Sequence, residues 1–213
     1  MRAAIIPVTP LQQNCCLIWC TTTMRGAFTD PGGDLEKLRV AALHHGVTVE
    51  KILITHGHLD HCGQSGIFAR ELGVPIEGPH EDDRFWIEQL GADGAKYGMH
   101  AESFEPDRWL VHGDTVTVGN LTLDVIHCPG HTPGHVVFHH GPSQIAIVGD
   151  VLFQGSIGRT DFPRGNFDDL IHSITTRLWP LGGETNFVPG HGPMSTFAYE
   201  RKTNGFVADS VLN

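Results

Sequence analysis

The chain has 213 residues, of which 40% are hydrophobic and 18% are charged, and its formal net charge is −10. This composition is typical of a globular protein, and the length suits a single domain over residues 1–213. The acidic balance argues against a nucleic-acid partner, and no apolar run is long enough for a membrane span. Because the first residues lack the apolar segment of an export signal, we expect a cytoplasmic protein.

The first half of the chain alternates short apolar runs with helical patterns. The apolar runs predict strands over 3–8, 15–20, 27–29 and 51–55. A helix is expected to begin after Asp34 and to end before Gly46, with an apolar stripe on its buried face. The stripe consists of Leu35, Leu38, Ala42 and Leu43. A histidine-rich segment follows the last of these strands, and a second helix then runs to Gly73.

The second half of the chain also combines short apolar runs with helical patterns, in a different order. Strands are expected over 115–118, 121–127, 136–139, 144–148 and 185–188. Helices are expected over 167–179 and from Ser195 onward. Because strands come in clusters that helices separate, we predict an α+β fold in which two sheets pack face to face with helices outside. Loops at one edge of such sheets can collect side chains from both halves of the chain.

The segment His56-Gly57-His58-Leu59-Asp60-His61 is the most informative part of the sequence. It places four side chains that can bind metal within six positions. Alternate residues of an extended segment share a face, so His56 and His58 are expected to serve the same ion. A single tetrahedral ion rarely takes four ligands from so short a run. We therefore expect Asp60 and His61 to serve a second ion beside the first.

Three later strand ends each add one candidate ligand, flanked by glycine or proline that lets the backbone approach an ion closely. These candidates are His131, Asp150 and His191. The expected ligands are His56, His58 and His131 for the first ion, and Asp60, His61 and His191 for the second, with Asp150 bridging. Imidazole and carboxylate suit zinc, iron or manganese. Open positions for water would make this a catalytic site with two divalent metals.

Simpler interpretations exist for single residues of this set. A lone histidine near a turn is usually a hydrogen-bonded residue, and for His131 or His191 alone that interpretation would be preferred. The density of the segment from His56 to His61 favours the metal site instead. His135 lies four residues after His131, where a strand begins, so it is interpreted either as structural or as a residue that supports a ligand from behind. Asp30 is either a turn former or a partner that orients a ligand imidazole.

These motifs resemble the binuclear hydrolases of the metallo-β-lactamase superfamily over essentially the whole chain. The resemblance implies an αββα sandwich with two mixed β-sheets flanked by helices. Within the superfamily the chain is most similar to the short bacterial glyoxalase II type. The segments that carry this similarity are Asp30-Pro31-Gly32-Gly33-Asp34, His131-Thr132-Pro133-Gly134-His135, Gly158-Arg159-Thr160-Asp161-Phe162 and Gly190-His191-Gly192-Pro193-Met194-Ser195-Thr196.

The similarity implies a small-molecule glutathione thioester, S-D-lactoylglutathione, as the substrate, with glutathione and D-lactate as the products. A hydroxide bridging two zinc or iron ions would attack the thioester, and Asp60 would be the catalytic residue that orients it. Arg159 stands at the family's basic position and is the candidate for substrate binding. We expect a monomer or a small homo-oligomer.

Two departures from the glyoxalase II pattern bear on the substrate. Asp161 stands where the family has tyrosine, which predicts weaker glutathione recognition. Residues 1–213 are also not expected to include the C-terminal helical extension that contributes basic residues to glutathione binding in full-length glyoxalase II. True β-lactamases often replace the Asp150-type ligand with cysteine, so β-lactamase activity is not expected.

Two other functions remain open on the sequence. Persulfide dioxygenases share the scaffold and bind one iron through residues that correspond to His56, His131 and Asp150, a set suited to oxygen chemistry. The segment around His191 favours the hydrolase over this alternative. A non-enzymatic metal-binding module is the second alternative, although open metal positions would then serve no purpose.

Overall fold

The computed structural model describes residues 1–212, and its first sheet contains five strands in sequence order. These are β1 (Arg2–Val8), β2 (Gln13–Trp19), β3 (Arg25–Thr29), β4 (Thr48–Leu53) and β5 (Ile76–Glu77). The first three strands pair antiparallel, and β3, β4 and β5 pair parallel. Because parallel neighbours need a crossover connection, helices join them. The helices of this half are α1 (Leu35–His45), α2 (Leu59–Cys62), α3 (Ser65–Leu72) and α4 (Arg84–Tyr97).

The second sheet contains six strands in the order β13-β12-β9-β8-β7-β6. They are β6 (Thr115–Val118), β7 (Leu121–His127), β8 (Val136–His140), β9 (Ile145–Gly149), β12 (Asn186–Pro189) and β13 (Ser195–Thr196). The pair β9–β12 is parallel, and the remaining pairs are antiparallel. A small hairpin, β10 (Leu152–Phe153) and β11 (Ser156–Ile157), follows β9. The helices are α5 (Phe167–Ser173), α6 (Phe197–Thr203) and α7 (Asp209–Leu212).

The buried apolar side chains form three layers that alternate with the two sheets. Every residue of β2 is buried, because its two faces enter different layers. Leu17 packs toward the helices of the first half, whereas Ile18 packs toward the second sheet with Val125 and Phe138. A third layer lies between the second sheet and the helices α5 and α6. This αββα arrangement confirms the expected fold of two mixed sheets flanked by helices.

Several details differ from the sequence-based expectations. The strand expected over 51–55 ends at Leu53, so Thr55 already belongs to the loop that carries the histidines. Leu43, expected on the buried face of α1, is 83% exposed. The expected helix over 167–179 changes from α-helix to a π-helical turn at Ile174. Helix α4 was not predicted, because Gly91 and Gly94 interrupt its pattern of good helix formers.

Two further differences concern helix starts. Asp34 precedes α1 as expected, but its carboxylate accepts from Thr9 N at 3.2 Å and Lys37 Nζ at 2.7 Å instead of capping the helix. The last predicted helix begins at Phe197 rather than Ser195, with the Thr196 hydroxyl accepting from Tyr199 N. Across residues 1–212, no helix has the length and apolar character that crossing a membrane requires.

Candidate metal centre

All seven side chains predicted from the sequence meet at the edge where β4, β9 and β12 end. His56 and His58 lie on the loop after β4, Asp60 and His61 on the short helix α2, His131 between β7 and β8, Asp150 after β9, and His191 after β12. His56 and His61 are fully buried, and His131 is 3% exposed. The side chain of His191 is 30% exposed, so the group opens to solvent on that side.

The first cluster joins three imidazoles through nitrogens that face one another. His58 Nδ1 lies 3.1 Å from His56 Nε2 and 3.0 Å from His131 Nε2. His131 Nδ1 donates to the carbonyl of Arg159 at 2.8 Å, so His131 Nε2 carries a lone pair. Thr55 Oγ1 donates to a carboxylate and therefore accepts from His56 Nδ1 at 3.0 Å, which leaves a lone pair on His56 Nε2 as well.

The second cluster combines two imidazoles with a carboxylate. His61 Nδ1 donates to Asp30 Oδ2 at 2.9 Å, and His191 Nδ1 donates to the carbonyl of Leu11 at 3.2 Å. Each ring therefore turns its Nε2 toward the carboxylates of the cluster. Asp60 Oδ2 lies 3.1 Å from His191 Nε2 and 3.8 Å from His61 Nε2. The donor atoms of the two clusters match the two groups of ligands expected from the sequence.

Asp150 lies between the two clusters. Its Oδ1 is 3.3 Å from His61 Nε2, and its Oδ2 is 3.6 Å from His131 Nε2 and 3.8 Å from His191 Nε2. Gly190 makes this packing possible, because a Cβ there would sit 2.0 Å from Asp150 Oδ1 and 2.6 Å from His61 Cε1. The carboxylate thus lies within 4 Å of histidines of both clusters, and its role as a bridging ligand stays a prediction.

The chemistry of these donors fits divalent cations. His61 Nε2 and Asp150 Oδ1 lie 3.3 Å apart, and both atoms are buried with no hydrogen bond to any other group among residues 1–212. In the first cluster, His58 Nδ1 can donate to only one of His56 Nε2 and His131 Nε2, so at least one buried lone pair there lacks a proton to accept. Imidazole and carboxylate are ligands that zinc, iron and manganese accept. Each of the four histidines with a resolved Nδ1 partner also shows the orientation typical of metal-bound imidazole.

The pKa shifts of the histidines in the two clusters also favour a bound cation. Burial, together with the neighbouring His131, lowers the pKa of His58 to about 3, so this ring stays neutral. Burial alone would also lower the pKa of His61, but the carboxylates of Asp150 and Asp60 raise it well above its usual value. Without a cation, the second cluster therefore holds protons where a metal ion would supply the positive charge.

Asp30 and His135 support the ligands from behind. Asp30 accepts from Thr55 N at 2.7 Å, from Thr55 Oγ1 at 2.6 Å and from His61 Nδ1 at 2.9 Å. It therefore orients the imidazole of His61, a proposed ligand, in line with the second of the two roles considered from the sequence. The His135 ring stacks on His56 with centroids 4.6 Å apart, and its Nε2 accepts from Asp150 N at 3.0 Å.

The guanidinium of Arg159, the candidate for substrate binding, is exposed and already paired. It donates to both carboxylate oxygens of Asp161, at 2.9 and 2.8 Å, and its Cζ lies 4.5 Å from the centroid of the Phe162 ring. The backbone carbonyl of Arg159, by contrast, holds His131. A substrate anion would have to compete with Asp161 for this side chain.

Sequence reasoning missed the aromatic side chains beside the first cluster. Trp86 on α4 meets the His58 ring edge-on at 4.6 Å, and Phe162 meets it at 4.8 Å. Phe162 lies in a segment that the resemblance had singled out, but Trp86 lies in the helix that was not predicted.

Another group, His80, Asp82 and His127, also brings potential ligand atoms together. Its two rings stack at 4.3 Å and 13°, so their lone pairs do not converge on one ion.

An αββα sandwich that gathers histidines and carboxylates at one sheet edge is typical of a superfamily of metal-dependent enzymes. The chain belongs to the metallo-beta-lactamase superfamily, whose sequence profile matches residues 8–191. Hydroxyacylglutathione hydrolase GloC of Haemophilus influenzae is 41% identical over 209 residues, which cover 97% of this chain and 98% of that protein.

Two crystal structures share the fold along nearly their whole length. The BLEG-1 B3 metallo-beta-lactamase is 32% identical, with a TM-score of 0.88 over 97% of this chain and 99% of that one. TTHA1623 in a di-iron-bound form is 33% identical, with a TM-score of 0.86 over 95% of this chain and 99% of that one. These likenesses agree with a metallohydrolase that uses divalent metal ions.

Proposed function

We propose that this protein is a glyoxalase II-type thioester hydrolase that converts S-D-lactoylglutathione to glutathione and D-lactate. The observation that carries the proposal is the pair of adjacent donor clusters that share Asp150. The similarity to a hydroxyacylglutathione hydrolase along the whole chain supports the choice of substrate. The proposed ligands are His56, His58, His61, His131, His191, Asp60 and Asp150.

Two divalent cations held there would supply a hydroxide from water near neutral pH and would polarise the thioester carbonyl. Asp60, whose side chain is 13% exposed, would orient the attacking water. The water oxygen adds to the acyl carbon, the carbon–sulfur bond breaks, and the sulfur leaves as a thiolate that takes up a proton. Because the pKa of a thiol is about 8.5, this departure needs no strong general acid.

The decisive experiment is kinetics of the purified protein on S-D-lactoylglutathione beside other acyl thioesters, with metal content measured on the same sample. We expect two metal ions per chain and the highest kcat/KM on the lactoyl thioester. A protein with both ions bound and no thioesterase activity would overturn the proposal.

The same preparation distinguishes the alternative functions. One iron per chain with oxygen uptake on glutathione persulfide would indicate a persulfide dioxygenase. The similarity to a protein described as a B3 metallo-beta-lactamase makes a β-lactam a necessary member of the substrate panel. Faster turnover of the β-lactam than of every thioester would assign that activity instead. Inactivity on the whole panel would leave a metal-binding module.

A further inference from the structure

Asp83 is a fully buried carboxylate outside the seven proposed ligands, and it lies where α4 begins. A buried charge is costly unless hydrogen bonds compensate for it, so its contacts show what it does. Burial raises the pKa of Asp83 to about 6, although its hydrogen bonds oppose that shift. At neutral pH the group is therefore ionised and can only accept hydrogen bonds.

All three donors to this carboxylate come from the two loops that carry the first cluster. Gly57 N donates to Oδ2 at 2.8 Å, Thr132 Oγ1 donates to Oδ2 at 2.7 Å, and Gly134 N donates to Oδ1 at 2.6 Å. Gly57 lies between His56 and His58, and Thr132 follows His131. The Asp83 side chain thus connects the loop that carries His56 and His58 to the loop that carries His131.

Close packing around Asp83 is a second, independent sign of this connection. A Cβ at Gly134 would lie 2.5 Å from Asp83 N and 2.7 Å from Asp83 Cγ. A Cβ at Gly57 would lie 3.1 Å from the Asp83 carbonyl oxygen and 2.7 Å from the Cβ of Trp86. A side chain is therefore excluded at Gly134 by Asp83 itself and at Gly57 by Trp86 in the first turn of α4. The turn before α4 adds a further link, because His80 N donates to the Gly134 carbonyl at 3.0 Å.

We infer that Asp83 is a positioning residue that sets the distance between the loop of His56 and His58 and the loop of His131. It touches neither the proposed substrate nor the proposed metal ions, and it acts through the backbone on both sides of the first cluster. Each donor points at a charged acceptor, which makes these hydrogen bonds stronger than neutral ones. The inference rests on the proposed metal centre, and its activity readout rests on the proposed hydrolase function.

The test compares metal-loaded wild type with Asp83→Asn, using Asp82→Asn as the matched control. Asparagine keeps the shape, but its amide group must turn N–H toward at least one of the three donors and release that loop. Asp82 is the neighbouring carboxylate, with a side chain that is 59% exposed. We expect Asp83→Asn to weaken binding of one of two Zn²⁺ ions about 10–100-fold in chelator competition, and to alter the visible absorption of the Co²⁺-loaded protein. Its kcat should fall with KM nearly unchanged, and Asp82→Asn should match wild type.

Thr132 provides a second pair of variants if Asp83→Asn fails to fold. Thr132→Val removes the hydroxyl donor, whereas Thr132→Ser retains it, so metal affinity should fall in the first and recover in the second. Wild-type Zn²⁺ affinity and Co²⁺ absorption in Asp83→Asn would overturn the inference, as would equal behaviour of the two Thr132 variants. Absence of thioesterase activity in wild type would refute the proposed function alone, because the metal affinities would still decide the role of Asp83.

Discussion

The buried carboxylate of Asp30 accepts a hydrogen bond from His61 Nδ1 at 2.9 Å and so turns Nε2 of His61 toward Asp150. The same oxygen also accepts from the Thr55 hydroxyl, which in turn holds His56. Asp30 therefore fixes the protonated nitrogen in one histidine of each cluster. A hydrogen-bond partner of this kind fixes the tautomer and the orientation of a metal-binding imidazole.

We expect Asp30→Asn to lower metal affinity and kcat about 10–100-fold, because the amide would face either Thr55 N or the two donors that now share Oδ2, and the loop that carries the histidines would shift. The measurement is metal content after dialysis, together with turnover at saturating metal. Asp34→Asn is the control, since the Asp34 carboxylate contacts Thr9 and Lys37 rather than a histidine. Equal metal content in wild type and Asp30→Asn would show that the tautomer of His61 does not need Asp30.

Asp150→Ala should abolish thioester hydrolysis and remove most bound metal, because this carboxylate faces donors of both clusters. Elemental analysis of the purified variant measures the loss directly. Asp124→Ala removes an exposed carboxylate from the same sheet and should leave metal content unchanged. Near-wild-type turnover in an Asp150→Ala sample with verified metal content would exclude Asp150 from the site.

Replacing Asp161 should improve the binding of anionic substrates. Asp161→Asn removes the carboxylate that pairs with Arg159, so we expect a several-fold lower KM for glutathione thioesters with kcat little changed. Arg159→Ala should raise KM more than it lowers kcat, and it should cancel the gain in the double variant. A short uncharged acyl thioester serves as the control substrate. An unchanged KM in Arg159→Ala would show that the guanidinium does not hold the substrate.

Gly190→Ala should prevent assembly of the centre, because the added Cβ would collide with the carboxylate of Asp150 and the ring of His61. Gly91→Ala is the matched control in helix α4, where a Cβ meets nothing within 4 Å. It should stabilise the protein by up to about 1 kcal/mol through helix propensity. Metal content and unfolding in denaturant measure both effects, and a fully metal-loaded Gly190→Ala protein would contradict this packing.

Protonation of Asp83 should appear in the stability of the metal-free protein. Its pKa in the folded chain is about 6, above the ordinary value of 3.8, so the folded state binds this proton more tightly than the unfolded state. As pH falls from 7 to 4, the free energy of unfolding of wild type should therefore rise relative to Asp83→Asn, by an amount on the order of 3 kcal/mol at most. Denaturant titrations at several pH values test this, and a difference that is independent of pH would contradict it.

The positions of the proposed ligands could be predicted because each follows the end of an apolar strand. The strand over Asn186–Pro189 leads directly to His191, and the strand over Ile145–Gly149 leads to Asp150. Strand ends fix backbone positions, so a side chain immediately beyond them has little freedom. The seven side chains do converge, although their role as ligands stays a prediction.

Other parts of the site could not be read from the sequence, because three-dimensional packing selects between equivalent residues. Asp82 and Asp83 are adjacent acids in the same segment, yet one is exposed and the other joins two loops. Arg159 and Asp161 are two positions apart, and only the conformation of their loop shows that they neutralise each other. Trp86 contacts His58 from helix α4, which was not predicted because its glycines interrupt the sequence pattern typical of a helix.

The proposed ligands span residues 56–191, and they reach the centre from both sheets. A metal ion bound by His61 and His191 would therefore act as an inorganic cross-link between the two halves of the polypeptide. The donors converge only when the sheets are packed, so the free energy of metal binding adds directly to the stability of the whole sandwich. Removing the metal ions with a chelator would therefore weaken the association of the two halves and also stop catalysis. A chain whose synthesis stops before Asp150 would lack the carboxylate that contacts both clusters.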